Sequence, residues 1–288
     1  MIALLLSVLS SSLIFVIFKL FARFKIDTFQ AIVVNYFMAF IIGVVLYGDT
    51  WNERIMQNTS WVPFVIICAF MFIGLFLIMG KSSQLNGVAS TSVAVKMSMA
   101  VSLLLMIISY GESINTLKIT GIALAFIGVY LVSSTKGTKL SSSHKWMLTV
   151  LFIASGGFDF LLNYIQNNHL TDLSPALFSA IGLGLAGAIG LALLLVQALR
   201  GKVEFELKNI AGGIVLGIPN FFSIYLLLLS YKTTGWTDST VLAITNVSVV
   251  LLSAMMGFVF FKEKATRMKL LGLLTAVLAI VALYLAIN

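Results

Sequence analysis

Two stretches, ESINTLKITGIALAFIGVYLVSST at residues 112–135 and EKATRMKLLGLLTAVLAIVALYLAI at 263–287, open on the same element and then turn apolar. The shared element is Glu-x5-Lys-x2-Gly, Glu112 to Gly121 and Glu263 to Gly272. The apolar run behind each has the ~20 residues that a helix needs to cross a ~30 Å hydrocarbon core at ~1.5 Å per residue. Lipid supplies no hydrogen-bond partners, so such a run must satisfy its own backbone as a helix. Runs of this kind recur at about 2–22, 29–47, 61–80, 87–109, 117–135, 145–167, 173–199, 209–231, 236–261 and 270–287, ten spans in all. The expected fold is an all-α integral membrane protein.

Composition agrees. Of the 288 residues 60% are hydrophobic and 10% charged, where a soluble domain carries about 25% charged residues to solvate its surface. Disorder, collagen and a secreted disulfide scaffold are excluded, and the only cysteine, Cys68, has no partner in the chain. Span 1 starts at Met1 without a basic region or cleavage site and is expected to be retained. The net charge of +8 needs no nucleic-acid partner, because the basic residues sort by loop. Loops after spans 1, 3, 5, 7 and 9 hold Lys19, Arg23, Lys25, Lys81, Lys136, Lys139, Lys145, Arg200, Lys202, Lys208, Lys262, Lys264, Arg267 and Lys269; the opposite face holds Arg54, Lys118 and Lys232. Positive loops resist translocation, which puts the richer face in the cytoplasm and both termini outside. Lys19, close to its helix end, is expected to snorkel to the interface.

The chain repeats itself. A shift of 151 residues superposes the two Glu-x5-Lys-x2-Gly elements and places Lys81 on Lys232; nearer the start, a shift of 145 aligns Asp27 with Asp172 and Ala31 with Ala176. The expected division is 1–140 and 141–288, two five-helix repeats forming one transport domain. Five is odd, so the second copy enters the membrane from the opposite side, the inverted plan of many secondary transporters.

With its Glu-x8-Gly elements leading into the last span of each half, this ten-span layout resembles the EamA-type carriers of the drug/metabolite transporter superfamily. The resemblance covers the whole chain and implies a bacterial inner-membrane carrier of small metabolites, amino acids or drugs. That family often has a proline 13 residues before the motif glutamate, where this chain has Met99 and Val250.

Only Lys96 in span 4 and Asp159 in span 6 carry charge near the middle of a span. A charge at the bilayer centre costs at least ~2.5–3.5 kcal/mol and therefore faces a bundle interior or a wet cavity. Two roles are open: a pair that locks spans 4 and 6, and a substrate site. In the second, Lys96 with Ser92 one turn before it holds an anionic group, while Asp159 carries a proton. Ser155, Asp159, Asn163 and Asn167 follow at four-residue steps with Gln166 adjacent, a polar stripe that cannot face lipid. Asn35, Asn220 and Asn246 are further substrate-binding candidates, each equally readable as an interhelical hydrogen bond worth ~0.6 kcal/mol. Tyr164, Tyr225 and Trp236 are readable as stacking platforms or as packing, and Pro219 as a kink. Ala180, Gly184 and Ala188, with Gly182, Ala186 and Gly190, give span 7 faces for close packing. Glu112 and Glu263 are read as architectural, with Thr116 and Thr266 as helix caps.

A channel needs repeated rings of charge or carbonyls, and an enzyme needs a nucleophile with a base or a metal site; the sequence holds neither pattern. No cofactor or metal is expected. The function expected is secondary transport of a small molecule by alternating access, with proton coupling open through Asp159; a monomer suffices, and a dimer is compatible. The alternative is a non-transporting membrane sensor or assembly protein on the same scaffold.

Overall fold

A computed structural model of the chain describes residues 1–50, 55, 59–111, 115–133, 144–169, 174–201, 204–236 and 238–287. The described residues form eleven α-helices and no strand: α1 (Ile2–Phe24), α2 (Thr28–Tyr47), α3 (Val62–Leu85), α4 (Val88–Met97), α5 (Met99–Tyr110), α6 (Thr116–Ser133), α7 (Trp146–Asn168), α8 (Pro175–Leu199), α9 (Leu207–Thr233), α10 (Asp238–Phe260) and α11 (Arg267–Ile287). Eight stretches are long and apolar enough to cross a membrane, counting α4 and α5 as one, and α6 and α10 supply two shorter apolar helices. Arg54, Glu112, Lys136, Lys139 and Lys202 lie outside the described residues.

Helix starts follow local chemistry. An Asp27 carboxylate oxygen accepts from the Gln30 amide at 2.8 Å, and the Ser174 hydroxyl accepts from Leu177 N–H at 3.2 Å with Pro175 opening the first turn. Such side chains satisfy amides that the first helical turn leaves unpaired. Thr266 caps α11 as expected, accepting from Lys269 N–H at 3.3 Å. At α6 the cap is Asn115, which accepts from Lys118 N–H at 2.7 Å; Thr116 is already the first helical residue. Span 4 differs from the expectation of one helix: it breaks at Ser98 into α4 and α5. Pro219 does not break α9, which runs through it.

The chain folds into two compact units, each drawing on both halves of the sequence. The first comprises Met1–Leu20, Ile78–Phe160 and Ser223–Asn288. Its core gathers Val93, Met97, Val129, Phe152, Val250 and Ile280 among others. There α6 and α11 run antiparallel at very close range: a Cβ on Gly121 would meet the Leu283 side chain at 2.6 Å, and one on Gly272 would meet the Gly128 carbonyl at 3.0 Å. Span 4 likewise runs antiparallel to α10, with Ala89 of α4 beside Gly257 and Met99, the first residue of α5, beside Asn246.

The second unit comprises Phe21–Leu77 and Leu161–Phe222. In it α2 packs antiparallel on α8, Gly43 against Ala180, Phe40 against Gly184 and Val33 against Gly190. The small residues of span 7 thus serve the close packing read from their spacing. Helix α9 approaches the same α2 at Gly217, where a Cβ would stand 2.7 Å from that of Met38. The buried Tyr36 hydroxyl donates to the Phe72 carbonyl of α3.

Candidate functional site

Lys96 and Asp159 lie in the same unit, Lys96 one residue before the end of α4 and Asp159 near the middle of α7. Their charges act on each other, yet among the described residues no ion pair within 4 Å joins them. Lys96 is half-buried. What comes between them is Ser98. Its hydroxyl lies 2.6 Å from the Val95 carbonyl and 3.4 Å from Asp159 Oδ2. Gly156, three residues before Asp159, allows this approach: a Cβ there would stand 2.5 Å from the Ser98 carbonyl oxygen and 2.5 Å from the Val101 Cβ.

Ser92, one turn before Lys96, is fully buried and its hydroxyl donates to the Ala89 carbonyl at 3.0 Å. Asn246 of α10 reaches the same unit; its side-chain amide donates to the Met99 thioether at 3.6 Å, a weak acceptor. Of the stripe around Asp159, Ser155 is buried and Asn163 half-buried; the side chains of Gln166 and Asn167 lie outside the described residues.

The start of α4 is held by Glu263. Gly87, the residue before the helix, has no side chain to cap it. The Glu263 carboxylate takes over, accepting from Val88 N–H at 2.7 Å and from Lys269 Nζ at 3.2 Å while nearly buried. A carboxylate at a helix N-terminus is also favoured by the helix dipole. Gly87 has φ +97, and a Cβ would stand 2.5 Å from Glu263 Oε2, so no other residue type fits there. Lys19 turns inward rather than snorkelling, donating to the Gln84 carbonyl at 2.7 Å; a carbonyl at the end of α3 has no partner of its own in the helix.

Asn163, Asn35, Asn220 and Tyr164 belong to the second unit. Asn220 of α9 donates to Asn35 Oδ1 of α2 at 3.1 Å, both buried. Tyr164 packs with Phe64 and His169, ring centroids 6.1 and 5.6 Å away. A polar hollow of about 360 Å³ that the spacing of residues did not announce lies among Asp27, Gln30, Gln197, Glu204 and Asn209. There Asn209 bridges Gln30 Oε1 and the Asp27 backbone N–H.

Residues 1–134 match the EamA-like transporter family. An uncharacterized protein of Haemophilus influenzae is 25% identical over 287 residues, covering 96% of either chain. A crystal structure of a protein 12% identical to this one shares the fold, with a TM-score of 0.60 over 99% of this chain and 96% of that one. The first 134 residues thus resemble EamA-like transporters, and the run of long apolar helices is that of a multi-pass membrane protein.

Within the EamA-like stretch fall α1 to α6, and with them Asn35, Ser92 and Lys96. Two positions that matter locally escaped the reading of residues. Ser98 is one of many hydroxyls in the chain, and Gly156 is one of 22 glycines. The available signal was the spacing of Gly156 and Asp159, three apart and so on one helical face. The break at Ser98 falls beside Met99, where the EamA-type pattern often has proline, while α10 stays continuous through Val250.

Proposed function

We propose that the chain is a secondary active transporter that moves a small metabolite, such as an amino acid or an organic anion, by alternating access. Its ten spans form two inverted five-helix repeats, 1–140 and 141–288, in a bacterial cytoplasmic membrane with both termini outside. Lys96 binds the anionic part of the substrate, and Asp159 carries the coupled proton. Asn246, Ser92, Asn163, Asn35, Asn220 and Tyr164 are the further substrate-binding candidates.

One observation carries this reading: Asp159 stands at mid-helix with an opposite charge from another helix acting on it but no direct ion pair. A charge at mid-span is costly against lipid, so this carboxyl group faces the bundle interior or a wet cavity. A pair that merely locked two helices would close to contact distance. The repeat has independent support. The α6–α11, α2–α8 and α4–α10 pairs each join an element to its counterpart five spans on, and each pair is antiparallel, as inversion demands. Lys118 and Lys269, aligned by the 151-residue shift, are equally buried at 8% exposure. Gly111 and Lys262, the residues before the two motif glutamates, both adopt left-handed φ of 64° and 50°.

The test is counterflow in proteoliposomes with a mass-detected metabolite panel. The expected result is uptake of one class of solute, reduced ~10-fold or more by Lys96→Ala. Asp159→Asn retains exchange but loses acceleration by a pH gradient. Folded protein that moves nothing across a broad panel favours the sensor or assembly role instead.

A further inference from the structure

Resting on the assignment of Asp159 as proton carrier, we infer that Ser98 is a positioning residue that ties the proton on Asp159 to the backbone break beside Lys96. A hydroxyl has one proton to give and lone pairs to accept with. The Val95 carbonyl, 2.6 Å away, can only accept, so it takes the Ser98 proton. With that proton committed, the 3.4 Å contact with Asp159 Oδ2 is held by a protonated carboxyl donating to Ser98 Oγ, whereas an ionised carboxylate there accepts from Ser98 instead. In this conformation the relay runs from Asp159 O–H to Ser98 O–H to Val95 C=O.

Loss of the Asp159 proton to water reverses the middle link. A carboxylate accepts only, and a hydrogen bond to it is roughly twice as strong as one to a neutral acceptor. The Ser98 hydroxyl proton turns about the Cβ–Oγ bond towards Oδ2, which the same rotamer already faces, and the Val95 carbonyl loses its donor. Four residues on stands the Met99 N–H, the partner that a continuous α-helix gives this carbonyl. Protonated Asp159 therefore goes with a span broken at Ser98, and ionised Asp159 with a span joined through it. Joining α4 to α5 re-aims Lys96, which follows Val95 directly. Gly156 keeps the two partners in register, because its bare Cα lets α7 rest on the Ser98 carbonyl. Among the described residues Lys96 on α4 is the charged group that acts on Asp159, and Ser98 is its hydrogen-bond partner.

The experiment uses the full chain in lipid nanodiscs with spin labels at two exposed positions, Leu85→Cys at the end of α3, just ahead of α4, and Ile108→Cys on α5, in a Cys68→Ser background. Distances are measured by pulsed electron resonance across a pH series, and the Asp159 carboxyl band is followed by infrared difference spectroscopy. The expected result is a distance that changes as the carboxyl titrates, stays at its acid value in Asp159→Asn and no longer follows pH in Ser98→Ala. Ser98→Thr, which keeps the hydroxyl, restores the response. A Ser98→Ala protein whose distance follows pH as before overturns the role of Ser98, and so does a wild-type distance that ignores pH while the carboxyl band titrates. Absence of that band from the wild-type titration overturns the proton-carrier assignment itself and the inference with it.

Discussion

A methyl group at Gly156 would sit 2.5 Å from both a carbonyl oxygen and a Cβ of the neighbouring chain segment, inside any real contact distance. Neither partner is the tip of a flexible side chain, so α7 would have to move. Gly156→Ala is expected to lower stability by ~1–3 kcal/mol, the ordinary cost of overpacking, and to weaken the Ser98–Asp159 contact. Thermal unfolding in detergent reads the first effect, and a wild-type melting temperature would show that α7 has room to shift. The same residues show how far single positions could be read beforehand. Lys96 and Asp159 stood out because charge inside an apolar run is expensive. Ser98 did not, since a hydroxyl in a span is unremarkable until its acceptors are known. Glu263 was legible as a motif residue but not as the cap of α4, whose first amide lies 175 residues away in sequence.

At the level of the helix, the apolar runs gave boundaries within a few residues, because span length is set by bilayer thickness rather than by particular side chains. Breaks and caps were harder. The usual cause of a bend, proline, is absent at Met99, yet the span breaks one residue earlier; a serine bonding back to its own turn is known to bend helices but leaves no spacing signal. Asn115 and Thr116 are both able to cap, and only the start of α6 decides between them. Pairings between helices were likewise invisible. Asn35 and Asn220 were each open to a substrate role or an interhelical bond; in the structure they bond to each other between α2 and α9. A double-mutant cycle with Asn35→Ala and Asn220→Ala, followed by unfolding in mixed micelles, is expected to give a coupling energy near ~0.6 kcal/mol. Additive single effects would mean that the two amides act separately, each free to meet substrate.

For the whole molecule the deciding quantity is where the basic residues fall. Fourteen Lys and Arg follow the odd-numbered spans and three follow the even ones, a bias that an insertion apparatus reads loop by loop. Within the structure the count changes meaning at several positions. Lys19 bonds a carbonyl at the end of α3, Lys269 pairs with Glu263, and Lys118 is buried, so these three are held by protein as well as by membrane orientation. Removing all three still leaves twelve against two, and the inference survives their loss. Both termini are therefore expected on the extracytoplasmic side. Alkaline phosphatase fused after Asn288 should be active in whole cells and a fluorescent protein at the same site dark, while fusions after Lys81 or Lys208 should show the reverse. The opposite pattern at all three sites would turn the molecule over in the membrane. Charge bias would then be overridden by the folding of the two halves together, and the face presenting Glu263, Lys269 and Lys19 would be the outer one. The antiparallel packing of α6 on α11 and of α2 on α8 would stand in either orientation, because those contacts lie within the protein.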